Sequence, residues 1–307
     1  MEKTGREKWV SAERKQAAAR RAGLAAWAVF RGVLLAGICF VVLFPLFSKI
    51  SRSFMAVEDL YNLTVRYIPA HFTVQNYRLM WVWMDMPKTL LVTLGISLLV
   101  AVCQTASATW VGYGFARFKF RGRNALFAAL IVCMVIPPDL MLMPLYLIFQ
   151  GAGLIDTPWP FVLMGLTCTG LKNGLYVFLL RQYFLGMPKE LEEAAYVDGA
   201  GPLRAFFTIM LPGAVPMMVT VFLFSCVWQW LDDLYSSVFF QEVQTMTSAL
   251  TGLGHVNDLS GLGVSDPAAI TLIKYAGILL LILPMIVLYL FCQRYFVESI
   301  ERSGLVG

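Results

Sequence analysis

The sequence predicts an all-α, polytopic membrane protein with six transmembrane helices and both termini on the cytoplasmic side. Three observations carry this expectation. Hydrophobic residues make up 59% of the chain and charged residues 14%, and mean hydropathy is +0.70, a balance far from that of soluble domains. The apolar runs reach roughly 20 residues, the length a helix needs to cross a bilayer, whereas a barrel strand needs about ten and alternates. Lys and Arg gather before the first run and after the second, the pattern that sets orientation.

The elements follow in order. Residues 1–23 form a basic cytoplasmic tail with Lys3, Arg6, Lys8, Arg14, Lys15, Arg20 and Arg21, expected as a surface helix or a disordered arm that fixes topology. The first span covers 24–47. It exceeds the apolar core of a signal peptide and no small-residue cleavage site follows, so it reads as a retained anchor. Residues 48–88 form an external loop, which carries Lys49, Arg52, Arg66, Arg78 and Lys88 but is long enough for the charge rule to weaken. The main transmembrane domain, 89–292, supplies spans at 89–115, 125–149, 159–184, 209–230 and 269–291. Arg117, Lys119, Arg121 and Arg123 place the second connection in the cytoplasm. Asp232, Asp233, Glu242, Asp258 and Asp266, with no Lys or Arg among them, mark an external loop. A cytoplasmic tail, 293–307, closes the chain.

Several chemistries find no support in this pattern. The six cysteines, Cys39, Cys103, Cys133, Cys168, Cys226 and Cys292, fall one to each span without metal-ligand spacing, and read as small packing residues. His71 and His255 lie in separate external loops, so neither a metal centre nor a catalytic triad is expected. The basic tail needs no nucleic acid to explain it. No GxxxxGK[ST] phosphate loop occurs, so any ATP must be handled by another chain.

The fourth and fifth spans are joined by a charged insert, 185–208. Pro188 suits the start of a short helix, and Glu190, Glu192 and Glu193 place negative charge at its N-terminus, where the macrodipole favours it. Leu191, Ala194, Ala195 and Asp198 recur at helical spacing, with Lys189 placed to pair with Glu193. Gly199 is a stop, Pro202 lies beyond it, and a second amphipathic turn through Leu203, Phe206, Phe207 and Met210 leads to Leu211-Pro212. This describes either an interfacial helix pair or a docking surface for a soluble partner.

The order Glu193-Ala194-Ala195, two residues, Asp198-Gly199-Ala200, then Ile209-Met210-Leu211-Pro212 resembles the EAA loop of binding-protein-dependent ABC importer permeases. Phe115-Ala116-Arg117-Phe118, Ile136-Pro137, Pro144-Leu145-Tyr146, Phe178-Leu179-Leu180-Arg181-Gln182-Tyr183-Phe184 and Gln293-Arg294-Tyr295-Phe296-Val297 are similar to the carbohydrate-uptake subfamily, MalG-type. The resemblance implies a type I ABC importer architecture and a permease without catalytic residues or a cofactor of its own. ATP and Mg would sit on a separate ATPase dimer, a second homologous permease would complete a heterodimer in the lipid membrane, and an extracytoplasmic sugar-binding protein would deliver the solute. Glu193 and Asp198 would supply charged docking contacts, Ala194 and Ala195 a close-packed face, and Gly199 the bend, with Ile209, Leu211 and Pro212 completing the motif.

Polar groups inside spans are functional candidates by default. The third span holds Pro137-Pro138-Asp139, where two prolines free backbone carbonyls beside an acid. The fourth holds Thr167, Thr169, Lys172 and Asn173. At about 1.5 Å per residue, Asp139 and Lys172 lie at similar depth, so they are placed to pair with each other or to face a solute. Trp228-Gln229-Trp230 in the fifth span offers rings and an amide suited to a sugar, or an interfacial aromatic belt. The leading expectation is a carbohydrate importer permease in the bacterial cytoplasmic membrane. The same architecture for a non-sugar solute and a non-transporting scaffold subunit are the alternatives.

Overall fold

A computed structural model describes residues 2–254, 259, 261–264 and 266–304, with side chains described for 20, 23–254, 259, 261–264 and 266–293. His255, Asp258 and Ser260 lie outside the described residues, as do the side chains of most of the basic tail and of 294–307. The chain divides into two compact units, 1–74 and 75–307.

The first unit begins with α1 (Glu2–Ser53), a single helix of 52 residues. The tail therefore continues the first span as helix and does not form a separate arm. Its segment Gly23–Ser53 is long and apolar enough to cross a membrane, and its apolar residues surround the axis on every side, as a lipid-facing span requires. After α2 (Val57–Tyr61) the chain folds back on itself, and the ring Nδ1 of His71 lies 2.8 Å from Asp59 Oδ1 while its amide donates to Oδ2 at 2.9 Å. Asp59 is buried.

The regular elements among the described residues of the second unit are helices: α3 (Gln75–Trp83), α4 (Met86–Arg117), α5 (Arg123–Val135), α6 (Asp139–Gly151), α7 (Trp159–Leu166), α8 (Asn173–Gly186), α9 (Glu190–Val197) and α10 (Pro202–Ala205). A π-turn (Phe206–Met210) then leads to α11 (Leu211–Gly213), α12 (Val215–Trp230), α13 (Leu234–Phe239), α14 (Met246–Gly252) and α15 (Pro267–Gly304). The central element is α4, which packs on α7, α8 and α12, while α12 also packs on α15. Small residues allow this: a Cβ on Gly112 would lie 3.0 Å from the Leu180 Cβ of α8, and one on Gly165 would lie 3.1 Å from the Cys103 Cβ of α4. One core, around Tyr113, Tyr176, Phe184, Phe206 and Met210, fills the Arg117 end of α4. Another, around Ile96, Phe149, Phe161 and Phe239, lies nearer its Met86 end.

Among the described residues, only α1, α4 and α15 hold uninterrupted segments that meet the length and apolarity of a span. The other three expected spans are broken. Helices α5 and α6 meet at 101°, because Pro137 and Pro138 donate no amide hydrogen bond and Ile136 is driven into an extended conformation (φ −67°, ψ 125°). The expected span 159–184 is two helices, α7 and α8, separated at 167–172. The expected span 209–230 starts at Val215, since Pro202–Gly213 and Val215–Trp230 meet at 72°. Pro212 explains the preceding π-turn: its ring displaces the carbonyl four residues back and its missing N–H leaves a helical bond unmade.

The Asp59–His71 contact has a pH signature. Burial opposes the Asp59 carboxylate, but hydrogen bonds from His71 and the Ala70 amide outweigh it and hold its pKa below 3.8. The hydrogen bond to Asp59, then its charge, raises that of His71 above 6.5. The histidine contribution is complete below 6.5 and is lost as pH climbs through the raised value. The aspartate contribution is complete above 3.8 and is lost as pH falls through the lowered one. Hydrogen exchange over residues 54–74, corrected for intrinsic rates, is therefore expected to be slowest between these two ordinary values and to quicken on the alkaline side. In His71→Phe the alkaline limb should disappear.

Candidate functional site

The insert 185–208 is built around α9. Its C-terminus closes as a Schellman turn: the Ala200 amide donates to the Ala195 carbonyl at 2.9 Å and the Gly199 amide to that of Tyr196 at 3.1 Å. Gly199 has φ +81°, a left-handed conformation that a Cβ would strain. The bend expected at this glycine is present.

The face that α9 turns inward differs from the one the spacing suggests. Its buried residues are Glu192 and Ala195, while Leu191, Glu193, Ala194, Val197 and Asp198 are exposed. Glu192 Oε1 accepts a hydrogen bond from the Tyr113 hydroxyl at 2.7 Å. Its Oε2 lies 3.2 Å from Arg117 Nε, and both of these side chains are under a tenth exposed. Arg117 also donates to the Met187 carbonyl at 2.8 Å. Two consecutive turns of α4 thus grip one carboxylate. The expected flank pair of Lys189 with Glu193 is not formed; the Lys189 carbonyl instead accepts the Glu192 and Glu193 amides. Ala194 and Ala195 do not share a face, and Ile209 and Leu211 pack inward against the core of Tyr113, Phe184 and Phe206, whereas Pro212 is exposed.

The second region is the break at 167–172. Its backbone is held from both sides. The amides of Thr169 and Gly170 donate to the Met164 carbonyl at 3.0 and 2.9 Å. The Gly165 carbonyl accepts from Ser107 at 2.6 Å and from Asn173 Nδ2 at 3.3 Å, and Gln104 Nε2 donates to the Leu171 carbonyl at 3.2 Å. The Ser225 hydroxyl of α12 donates to Gln104 Oε1. A Cβ at Gly170 would lie 2.6 Å from that Gln104 amide, so a side chain here would push the amide away from the Leu171 carbonyl. Two non-glycine residues here, Cys168 (φ 57°) and Lys172 (φ 61°), are left-handed, a cost that surrounding contacts must offset.

Lys172 sits immediately before α8, and its ammonium lies 4.7 Å from the centre of the Trp228 ring. Among the described residues no carboxylate lies within 4.0 Å of it. The expected Lys172–Asp139 pair is therefore not formed, because Asp139 heads α6 beyond the 101° bend, where the helix N-terminus favours its charge. Of the aromatic triplet, Trp228 is 45% exposed. Gln229 and Trp230 are buried, and Trp230 donates its indole N–H to the Leu281 carbonyl at 3.0 Å. Trp230 is thus a strut between α12 and α15 and does not face a solute.

The family profile described as "Binding-protein-dependent transport system inner membrane component" matches residues 108–302. The chain belongs to this permease family. It is similar to the melibiose/raffinose/stachyose import permease MelC of Bacillus subtilis, at 30% identity over 86% of this chain and 91% of that one. It is also similar to the arabinooligosaccharides transport permease AraQ of Halalkalibacterium halodurans, at 27% identity over 88% and 93%. Its fold is shared with a chain from a bacterial ABC transporter involved in import of the acidic polysaccharide alginate, at TM-score 0.70 and 20% identity, covering 88% of this chain and 96% of that one. A permease of this family is a membrane-embedded transporter subunit.

The structure also brings together residues to which sequence reasoning assigned no shared role. Tyr113, Arg117 and Glu192 form the clamp. Thr89, Thr93, Ser97, Thr105 and Thr109 form a buried polar line along α4, and their recurrence at multiples of four residues was its visible signal.

Removing one partner of a buried ion pair leaves the other uncompensated. Glu192→Ala is expected to destabilise the detergent-solubilised permease by about 3 kcal/mol, whereas Glu193→Ala should change stability by less than about 0.5 kcal/mol. Thermal unfolding of the two variants side by side checks this. The order would be reversed if Glu193 were the anchor.

Proposed function

We propose that this permease is one transmembrane subunit of an ATP-driven importer for an oligosaccharide, with six passes through the cytoplasmic membrane and both termini inside. Its partners would be a second, homologous permease, an ATPase dimer that binds ATP and Mg, and an extracytoplasmic sugar-binding protein. The observation that carries the docking half of this reading is the two-sidedness of α9. One side is locked to α4 through Glu192, and the other offers Leu191, Ala194, Val197 and Asp198 to solvent. An exposed set of two bulky apolar residues, one small residue and one acid suits a cleft on a soluble partner.

The transport half rests on the broken helices. Spans that unwind within the membrane free backbone groups and helix ends around a solute, and rocking of rigid helices then alternates access. The names of the relatives favour saccharides as cargo. Exposed Trp228 suits the apolar face of a sugar ring, and Thr167 and Thr169, whose hydroxyls lie 2.9 Å apart, suit its hydroxyls.

Affinity purification of the intact permease in mild detergent, with mass spectrometry of what co-elutes, tests the docking half. The wild type is expected to bring an ATPase and a second permease. Ala194→Trp, which loads the outer face of α9, is expected to lose the ATPase and keep the second permease. Retention of the ATPase by Ala194→Trp at wild-type yield would sink the assignment of that face.

A further inference from the structure

Beside the last turns of α4 lies a cavity of about 260 Å³. Its wall is built by Trp110, Phe115 and Phe118 at the end of α4, by Phe120 of the connection to α5, and by Leu203 and Phe206 of the segment that follows Gly199. Among the lining side chains only Trp110 and Tyr113 carry a polar atom, and the Tyr113 hydroxyl is taken by Glu192. By liquid volume the space equals about nine waters, yet a wall that offers them almost no hydrogen bond suits hydrocarbon better. Trp110, Phe118, Phe120 and Leu203 are exposed, so the cavity is open to its surroundings.

Its position along the span says what those surroundings are. Helix α4 has 32 residues and is about 48 Å long, against a hydrocarbon core roughly 30 Å thick. Shared evenly, about 9 Å of helix stands outside the core at each end. Trp110 lies about 10 Å before the last residue, Arg117, and so falls at the boundary, where a half-exposed indole is favoured. The cavity therefore opens at the level where acyl chains meet headgroups.

Cations stand around it. Lys119 lies between Phe118 and Phe120, and Arg204 follows Leu203. Arg123 Nη1 donates to the Phe118 carbonyl at 3.3 Å, which holds that guanidinium against the rim. The Phe115 ring packs on Phe120 and Phe127, with centres 6.0 and 5.7 Å apart, and Arg181 lies 3.9 Å from the centre of the Phe127 ring. Arg181 is within reach of the Arg123 charge, and its buried Nε has no hydrogen-bond partner. Among the described residues none of these four cations has a carboxylate within 4.0 Å. Guanidinium groups left in mutual repulsion favour an anion between them, and phosphate matches their geometry.

We propose that this cavity binds an anionic phospholipid of the adjoining leaflet, with an acyl chain against the aromatic wall and the phosphate at Arg123 and Lys119. The apolar wall and the cationic rim together fix the occupant. A soluble phosphate gains nothing from the wall, and a zwitterionic lipid gains less from the rim, where each Lys or Arg near anionic headgroups is worth about fivefold in binding. Because the wall joins α4 to the segment between α9 and α12, the bound lipid braces the insert against α4.

The test returns the purified permease complex to vesicles of dioleoylphosphatidylcholine and dioleoylphosphatidylglycerol in equal parts, re-extracts it in mild detergent and counts retained lipids by native mass spectrometry. Wild type is expected to retain the phosphatidylglycerol in excess. Gly114 lines the cavity, and a Cβ there meets nothing closer than the Phe118 ring at 4.0 Å, so Gly114→Leu fills the space and should remove one retained phosphatidylglycerol. Arg123→Gln, which leaves the cavity intact, should keep lipid but lower the preference for phosphatidylglycerol about fivefold, and Arg123→Lys should restore it. An unchanged lipid complement in Gly114→Leu overturns the site, as does a preference indifferent to Arg123→Gln. Loss of the ATPase from Gly114→Leu with the two permeases still paired also overturns it, by making the cavity a seat for that subunit. Saccharide uptake does not enter this readout, so failure here leaves the importer reading standing.

Discussion

A backbone that leaves the helix inside a membrane must find its hydrogen-bond partners within the protein, because lipid offers none. This constraint organises the second unit. Three of the six expected spans are interrupted, and the interruption at 167–172 survives because Gln104 and Ser107 of α4 reach its carbonyls and Ser225 of α12 orients Gln104. Thr93 does similar work at the Met86 end by accepting the Met246 amide at 2.9 Å. Among the described residues, only Thr93 of the polar line along α4 reaches irregular backbone in this way, and the Thr93 and Thr109 hydroxyls also return a bond to the preceding turn. The carbonyls of Gly165 and Leu171 and the Met246 amide are thereby paired where the helices stop.

The fold class, the proline break at 136–138 and the glycine bend at 199 were legible because each has a local cause: composition, a missing N–H and a left-handed backbone. The break between α7 and α8 was not, since 159–184 contains no proline after Pro160 and its polar residues Thr167, Thr169, Lys172 and Asn173 read as groups inside a continuous span. What unwinds it is tertiary. Gly170 accommodates the Gln104 amide, and Asn173 turns back to the Gly165 carbonyl. Residue types for both contacts were visible, but their partners lie some 60 residues away in sequence or on another turn.

The motif of the insert was legible by order and not by orientation. An eight-residue helix with glutamates at 190, 192 and 193 has too few apolar positions to fix which side turns inward. Spacing favoured Leu191, Ala194, Ala195 and Asp198 as one face. The decision came from α4, which presents Tyr113 and Arg117 four residues apart, so the residue able to reach both became the anchor. Likewise Lys172 and Asp139 matched in depth along the chain, yet the 101° bend between α5 and α6 removes the premise of straight spans on which that depth was counted.

Gripping one carboxylate from two successive turns has a mechanical consequence. A single contact would act as a pivot, letting α9 roll about its own axis, whereas two points of attachment fix its roll and make it a rigid outgrowth of α4. With 32 residues, α4 is about 48 Å long, so a tilt of about 10° imposed at the Glu192 end would sweep the far end through roughly 8 Å. Gln104 and Ser107 lie part-way along this lever, and the fastened carbonyls of the break would travel with it. A torque applied to the eight residues of α9 is thereby geared directly to the unwound segment at 167–172.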